Sequence, residues 1–151
     1  MSKVKILLET NNLTDFKVSD GFLFDIANRT IEESLVESLF EKDISISLAL
    51  VCENEIKKLN FEYRKKNQPT DVLSFSEYAK IQDLCDNKER DIFIGEIIMC
   101  PKYIESSSIE QGVTLNFEIA YILSHGILHL LGFSHGEKMF EIQEKIAKSF
   151  E

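Results

Sequence analysis

The sequence predicts a single compact α/β (α+β) domain over residues 1–151, a small mixed β-sheet packed with helices. Three observations point there. Segments of period two alternate with segments of helical period. The last two strand-like segments follow one another with no helical pattern between them, which asks for an antiparallel pair in an otherwise crossover-connected sheet. A chain of 151 residues that is 44% hydrophobic is long enough to bury one real core.

Taken in order, residues 3–9 (KVKILLE) read as a first strand. Residues 25–41 carry Ile31, Leu35, Val36, Leu39 and Phe40 at helical spacing, which predicts an amphipathic helix. In ISISLALV (44–51) the residues Ile44, Ile46, Leu48 and Leu50 share one face of a half-buried strand. ENEIKKLNFEYRKK (53–66) places Ile56, Leu59 and Tyr63 at i, i+3 and i+7, a helix with a basic face. PTDVLSFS (69–76) is a turn and a short strand, and residues 79–91 read as a polar, charged loop. DIFIGEIIMC (91–100) is the next strand, with Gly95 as a possible bulge. Pro101 opens a new segment, 114–131 form a long apolar helix, and MFEIQEKIAKSF (139–150) closes the chain as an amphipathic helix. The order is β-α-β-α-β-β-α-α, without repeats or low-complexity segments.

Composition narrows the function. A net charge of −9 argues against a general nucleic-acid coat. Yet Lys57, Lys58, Arg64, Lys65 and Lys66 gather five of the 17 basic residues in one short stretch, which leaves room for a local basic groove. The three cysteines, Cys52, Cys85 and Cys100, are odd in number and contain no CxxC, which fits reduced thiols. Cys52 and Cys100 are expected to be buried small hydrophobes. MSKVKILLET is too short in apolar length for a signal peptide. The most apolar stretch, 117–133, includes Glu118, Ser124 and two histidines, so it is expected to be a buried helix rather than a membrane span. A cytoplasmic protein with no membrane partner is the expectation.

All three histidines lie in HGILHLLGFSH, spaced H-x-x-x-H-x-x-G-x-x-H. His125 and His129, four apart on a helix, share one face. Gly132 can take a positive φ, end the helix and turn the chain back, so that His135 reaches the same point. Three neutral imidazoles leave a fourth tetrahedral position open, the arrangement of catalytic zinc, and one zinc ion per chain is expected. Imidazole also suits nickel, copper and iron. The spacing is that of H-E-x-x-H-x-x-G-x-x-H metalloproteases, except that their general-base Glu is Gly126 here. Without that carboxylate, peptide hydrolysis lacks its proton acceptor, and the glycine is expected to leave open space beside the metal.

The second dense region is LNFEYRKKNQPTDVLSFS (59–76). The fork of Arg64 matches two phosphate oxygens and cannot titrate away, which suits a phosphodiester and the charge that develops on it. Asn60, one turn earlier, is expected to share that face. Lys65 and Lys66 extend the basic surface. Thr70 and Asp71 read equally as turn residues or as substrate contacts.

These two motifs together resemble the YbeY endoribonuclease family of bacteria, whose signatures run approximately H-G-x-L-H-L-x-G-[FY]-D-H and L-N-x-x-[FY]-R-x-x-x-x-P-T-D-V-L-S-F. IGEIIM (94–99) and MFEIQEKI (139–146) resemble further family segments, so the likeness covers most of residues 44–146. The resemblance implies a zincin-like fold and a metal-dependent, single-strand-directed endoribonuclease. Its expected work is ribosomal RNA maturation, notably at the 3′ end of the small-subunit (16S) rRNA, and ribosome quality control. It implies zinc on His125, His129 and His135, a catalytic role for Arg64 and His125, and RNA, the small ribosomal subunit and an assembly GTPase as partners. Ser134 departs from the family's Asp, Lys65 and Asn67 from its Gly and Asp, Ser76 from its Pro, and Glu96 from its Asp. Two other functions fit the same residues: a ribosome-assembly factor with a largely structural zinc, and a different zinc hydrolase such as a peptidase. Asp71 and Glu96 are the general-base candidates, provided folding brings either near the ion.

Overall fold

The computed structural model describes residues 4–151, so Lys3 of the expected first strand lies outside the described residues. The chain runs β1 (Lys5–Asn12), α1 (Asp20–Ser34), β2 (Asp43–Leu50), α2 (Glu53–Arg64), β3 (Val72–Ser76) and α3 (Ile81–Asp86). It continues with β4 (Asp91–Met99), α4 (Pro101–Gln111), α5 (Leu115–Leu130) and α6 (Glu137–Ser149). The sheet is mixed, in the order β1-β2-β4-β3. β1 and β4 both run parallel to β2, and β3 runs antiparallel to β4. The antiparallel pair is therefore the one the sequence placed side by side, although α3 now sits in its connection.

The predicted face of β2 holds. Ile44, Ile46, Leu48 and Leu50 of β2 are all buried under the helices. They share one core with α1, α5 and α6. A second, smaller cluster of Val51, Ile56, Leu73, Ile98 and Cys100 lies under α2. α5 is the central helix and packs against α1, α4, α6, β3 and β4. Thr114 starts it by accepting a hydrogen bond from the Phe117 amide at 3.0 Å.

Gly95 is the bulge. Ser45 pairs with Phe93 but Ile46 pairs with Gly95, so β4 carries one extra residue at Ile94, and Gly95 has φ +147°.

Four sequence expectations are corrected. The first helix starts at Asp20, where Ser19 accepts from the Phe22 amide, and ends at Ser34 because Leu35 turns left-handed at φ 56°. Residues 36–41 instead hold a short 3-10 turn, Glu37–Leu39. The polar stretch 79–91 contains α3, a helix too short for periodicity to reveal, anchored by buried Leu84. Residues 101–111 form α4, opened by Pro101 and closed by Gly112 at φ 69°. Cys100 is buried as expected but Cys52 is exposed, and all three thiols are free.

α2 ends because Lys65 adopts φ 60°, its amide bonding back to the Asn60 and Phe61 carbonyls. A residue with a Cβ costs about 1–2 kcal/mol in that conformation, partly offset by the greater freedom glycine has when unfolded. Lys65→Gly is therefore expected to raise stability by about 0.5–1 kcal/mol, read as a shift in the urea unfolding midpoint.

Candidate metal and substrate site

The metal motif is built by the end of α5. His125 and His129 lie one turn apart on it, with their Nε2 atoms 3.0 Å from each other. The helix then closes in a paired turn: the Gly132 amide donates to the His129 carbonyl and the Phe133 amide to the Leu128 carbonyl, each at 3.0 Å. Gly132 takes φ +89°, and a Cβ there would lie 3.1 Å from the backbone nitrogen of Ile81. The turn brings His135 Nε2 to 3.3 Å from His129 Nε2, and the three ligand nitrogens all lie within 4.8 Å of one another.

The chemistry of these nitrogens fits a cation. Gln143 Oε1 only accepts, so His125 Nδ1, at 3.3 Å, carries the proton. The Phe133 carbonyl likewise takes the Nδ1 proton of His129 at 3.2 Å. Both Nε2 atoms of these neutral rings then present bare lone pairs to each other. Burial pushes the pKa of each below the ordinary histidine value; for His129 the neighbouring His125 adds to the effect. A shared proton is thus disfavoured where a metal ion is suited. Tetrahedral ligands at about 2.0–2.1 Å sit roughly 3.3–3.4 Å apart, close to the 3.0 and 3.3 Å that separate His129 from its two neighbours. His125, His129 and His135 are the residues able to hold such an ion.

Gln143 was not singled out by sequence, and it is fully buried. Its amide nitrogen donates to the Tyr121 carbonyl at 3.3 Å, which fixes its oxygen toward His125. The only trace in the sequence is one amide inside an amphipathic helix. Such outer partners orient metal-binding imidazoles. Gln143→Leu is expected to weaken metal binding by about 10–100-fold, measured by chelator competition.

The histidines open into a cleft of about 770 Å³ whose lining includes Tyr63, Arg64, Thr70, Asp71 and Phe75. Residues more than fifty positions apart in sequence thus meet. Val72–Ser76 form its rim, and the Ser76 hydroxyl donates to the His129 carbonyl at 3.2 Å. Asp71 bears on His125 electrostatically, raising its proton affinity, the smallest of the causes acting there. Its backbone carbonyl accepts from the Cys100 amide at 3.0 Å, tying the turn to the sheet.

Other sequence expectations are placed elsewhere. Asn60 is 1% exposed and does not line the cleft; its side chain donates to the Gln68 carbonyl at 2.9 Å and braces the loop after Arg64. Lys65 and Lys66 are exposed but lie outside the lining, as does Glu96, whose carboxylate meets Ser47. Gly126 does not leave space beside the metal. It is buried against the sheet, and a Cβ would lie 3.3 Å from Ile97 and 3.5 Å from Val72. The glycine is what lets α5 lie close on β3 and β4. Tyr63, expected on the packed face of its helix, is 60% exposed.

Comparison with known proteins agrees with this geometry. A family model described as Endoribonuclease YbeY matches residues 9–151. The chain is 30% identical to the Endoribonuclease YbeY of Acetivibrio thermocellus, over 91% of this chain and 93% of the relative. It is 39% identical to that of Borrelia turicatae, over 76% of this chain and 78% of the relative. Among solved structures it is similar to the solution structure of TM1509 from Thermotoga maritima, with a TM-score of 0.57, 28% identity, and coverage of 97% and 88% of the two chains.

Proposed function

The chain belongs to the YbeY endoribonuclease family, and from that premise we propose that it is a zinc-dependent, single-strand-directed endoribonuclease that matures the 3′ end of small-subunit ribosomal RNA and serves ribosome quality control. The observation that carries the reading is the meeting of Arg64 with His125, His129 and His135 in one cleft.

The three imidazoles would hold one zinc ion, which supplies Lewis acidity and a lowered pKa for bound water. Arg64 takes two oxygens of the phosphodiester and stabilises the charge that develops there. Asp71 is the one carboxylate of the cleft lining among the described residues, and we assign it the proton acceptor. It serves either a water or the RNA 2′-hydroxyl, and the product distinguishes them: a 2′,3′-cyclic phosphate excludes direct water attack as the first step. Thr70 contacts the substrate backbone beside Asp71. Lys65 and Lys66, outside the cleft, guide the strand toward it. Among the described residues, no ion pair engages any of the five basic side chains of the 57–66 stretch.

The partners proposed with this substrate are the small ribosomal subunit and an assembly GTPase, in the cytoplasm. No helix of the described residues is long and apolar enough to cross a membrane. A peptidase reading is weakened by Gly126, because a Glu there would be driven into Ile97 and Val72. A purely structural zinc is weakened by the three-ligand set, since structural sites are closed by four protein ligands.

The test is to measure metal content and RNA cleavage on one preparation. About one zinc per chain, cutting of single strands over duplexes, and loss of cutting on chelation support the reading. Equal cutting by metal-free protein overturns it.

A further inference from the structure

We infer that Tyr63 and Phe75 form a stacking wall for a nucleobase, beside the Arg64 that takes its phosphate, so that the cleft admits a nucleotide only when its base is free of its neighbours. The inference rests on the ribonuclease reading and names the residues that read the single strand.

Tyr63 immediately precedes Arg64 in the last turn of α2. Helical spacing puts it in line with Ile56 and Leu59, yet only those two pack with Leu73 and Ile98 in the small core under α2. Tyr63 lies beyond that core, 60% exposed, on the wall of the cleft that holds the histidines. Its ring joins a large apolar face to a polar tip, which suits a surface that a ligand covers. Phe75, on β3, meets it edge-on, with ring centroids 5.0 Å apart and planes at 66°. That contact restrains the Tyr63 ring on one side while leaving it accessible.

Charge makes such a wall useful. The protein carries −9 overall, and among the described residues Arg64 is the one lysine or arginine that lines the cleft. Stacking is indifferent to that charge. It is also indifferent to base identity, since every base has a π-face, but a base inside a duplex is already stacked on both faces. The cleft therefore selects strandedness through the base and binds the backbone through Arg64.

The experiment uses the metal-loaded full chain. Binding of a short single-stranded RNA is followed by fluorescence anisotropy, and cleavage by steady-state kinetics. Wild type, Tyr63→Ala, Tyr63→Trp and Phe75→Leu are compared on intact RNA and on a set carrying one abasic nucleotide at successive positions. Tyr63→Ala is expected to weaken binding by about 5–150-fold and to raise KM more than it lowers kcat, and Tyr63→Trp to restore the affinity. At the contacted position, the abasic nucleotide is expected to cost wild type a similar factor and Tyr63→Ala almost nothing. Equal behaviour of Tyr63→Ala and wild type, with wild type cutting normally, overturns the stacking wall and leaves the ribonuclease reading standing. An abasic penalty that is the same in both proteins also overturns it. Wild type that neither binds nor cuts RNA removes both. Should Phe75→Leu unfold, the abasic comparison on wild type and Tyr63→Ala still decides.

Discussion

Arg64→Ala is expected to keep its metal and lose about 10²–10³-fold in kcat for RNA cleavage, the usual cost of removing one donor aimed at charge that develops in a transition state. Arg64 is exposed at the end of α2 and makes no ion pair among the described residues, so its removal leaves the fold intact. His129→Ala is its counterpart. His129 is the middle ring, 3.0 Å from His125 and 3.3 Å from His135, and its loss is expected to abolish both metal binding and cleavage. Metal analysis and cleavage on the same folded preparations separate the two: metal retained without cleavage for Arg64→Ala, neither for His129→Ala. If both variants cut as well as wild type, the activity resides elsewhere.

Gly95→Ala is expected to cost roughly 4 kcal/mol or more of stability, at the exceptional end for a point substitution. The backbone at φ +147° excludes side chains, and a Cβ there would run into the Phe75 carbonyl oxygen and lie 2.7 Å from Leu130 Cδ2. The Phe75 carbonyl is backbone of a paired strand and cannot yield cheaply, whereas the Leu130 methyl can turn aside only within a packed core. Phe75 belongs to the strand that rims the cleft, and Leu130 ends the metal helix. Any protein that still folds is therefore expected to lose metal affinity as well, because β3 and α5 are forced apart at the cleft. Urea unfolding combined with metal titration measures both. A variant with an unchanged midpoint would mean that β4 takes another register at Ile94.

Much of the site was legible in the sequence because its parts are local. The i, i+4 relation of His125 and His129 is fixed by helix geometry alone, and Gly132 announced the turn that carries His135 back. The period-two face of β2 was legible because a strand's alternation needs no knowledge of its neighbours, and the bulge because a glycine interrupts the pattern of β4. Pro101 marked where α4 opens, but the weak apolar pattern that follows gave no reason to draw a helix up to Gly112.

What the sequence could not determine is which surface each face meets. Helical spacing put Asn60 beside Arg64 and Tyr63 beside Leu59, but the loop at Gln68 and the short reach of the small core reverse their fates: Asn60 is buried as a brace and Tyr63 is exposed on the cleft. Gly126 read as room for substrate until α5 was seen lying on Ile97 and Val72. Gln143 acquired a role only because α6 packs on α5 and brings its amide to His125. Backbone geometry is set by residues close in the chain, so the sequence by itself determined the three-histidine cluster and the turn that completes it. Burial and contact are relations between segments that excluding water brings together, so only the tertiary structure decided that Arg64, Asp71, Tyr63 and Phe75 share a cleft with that cluster.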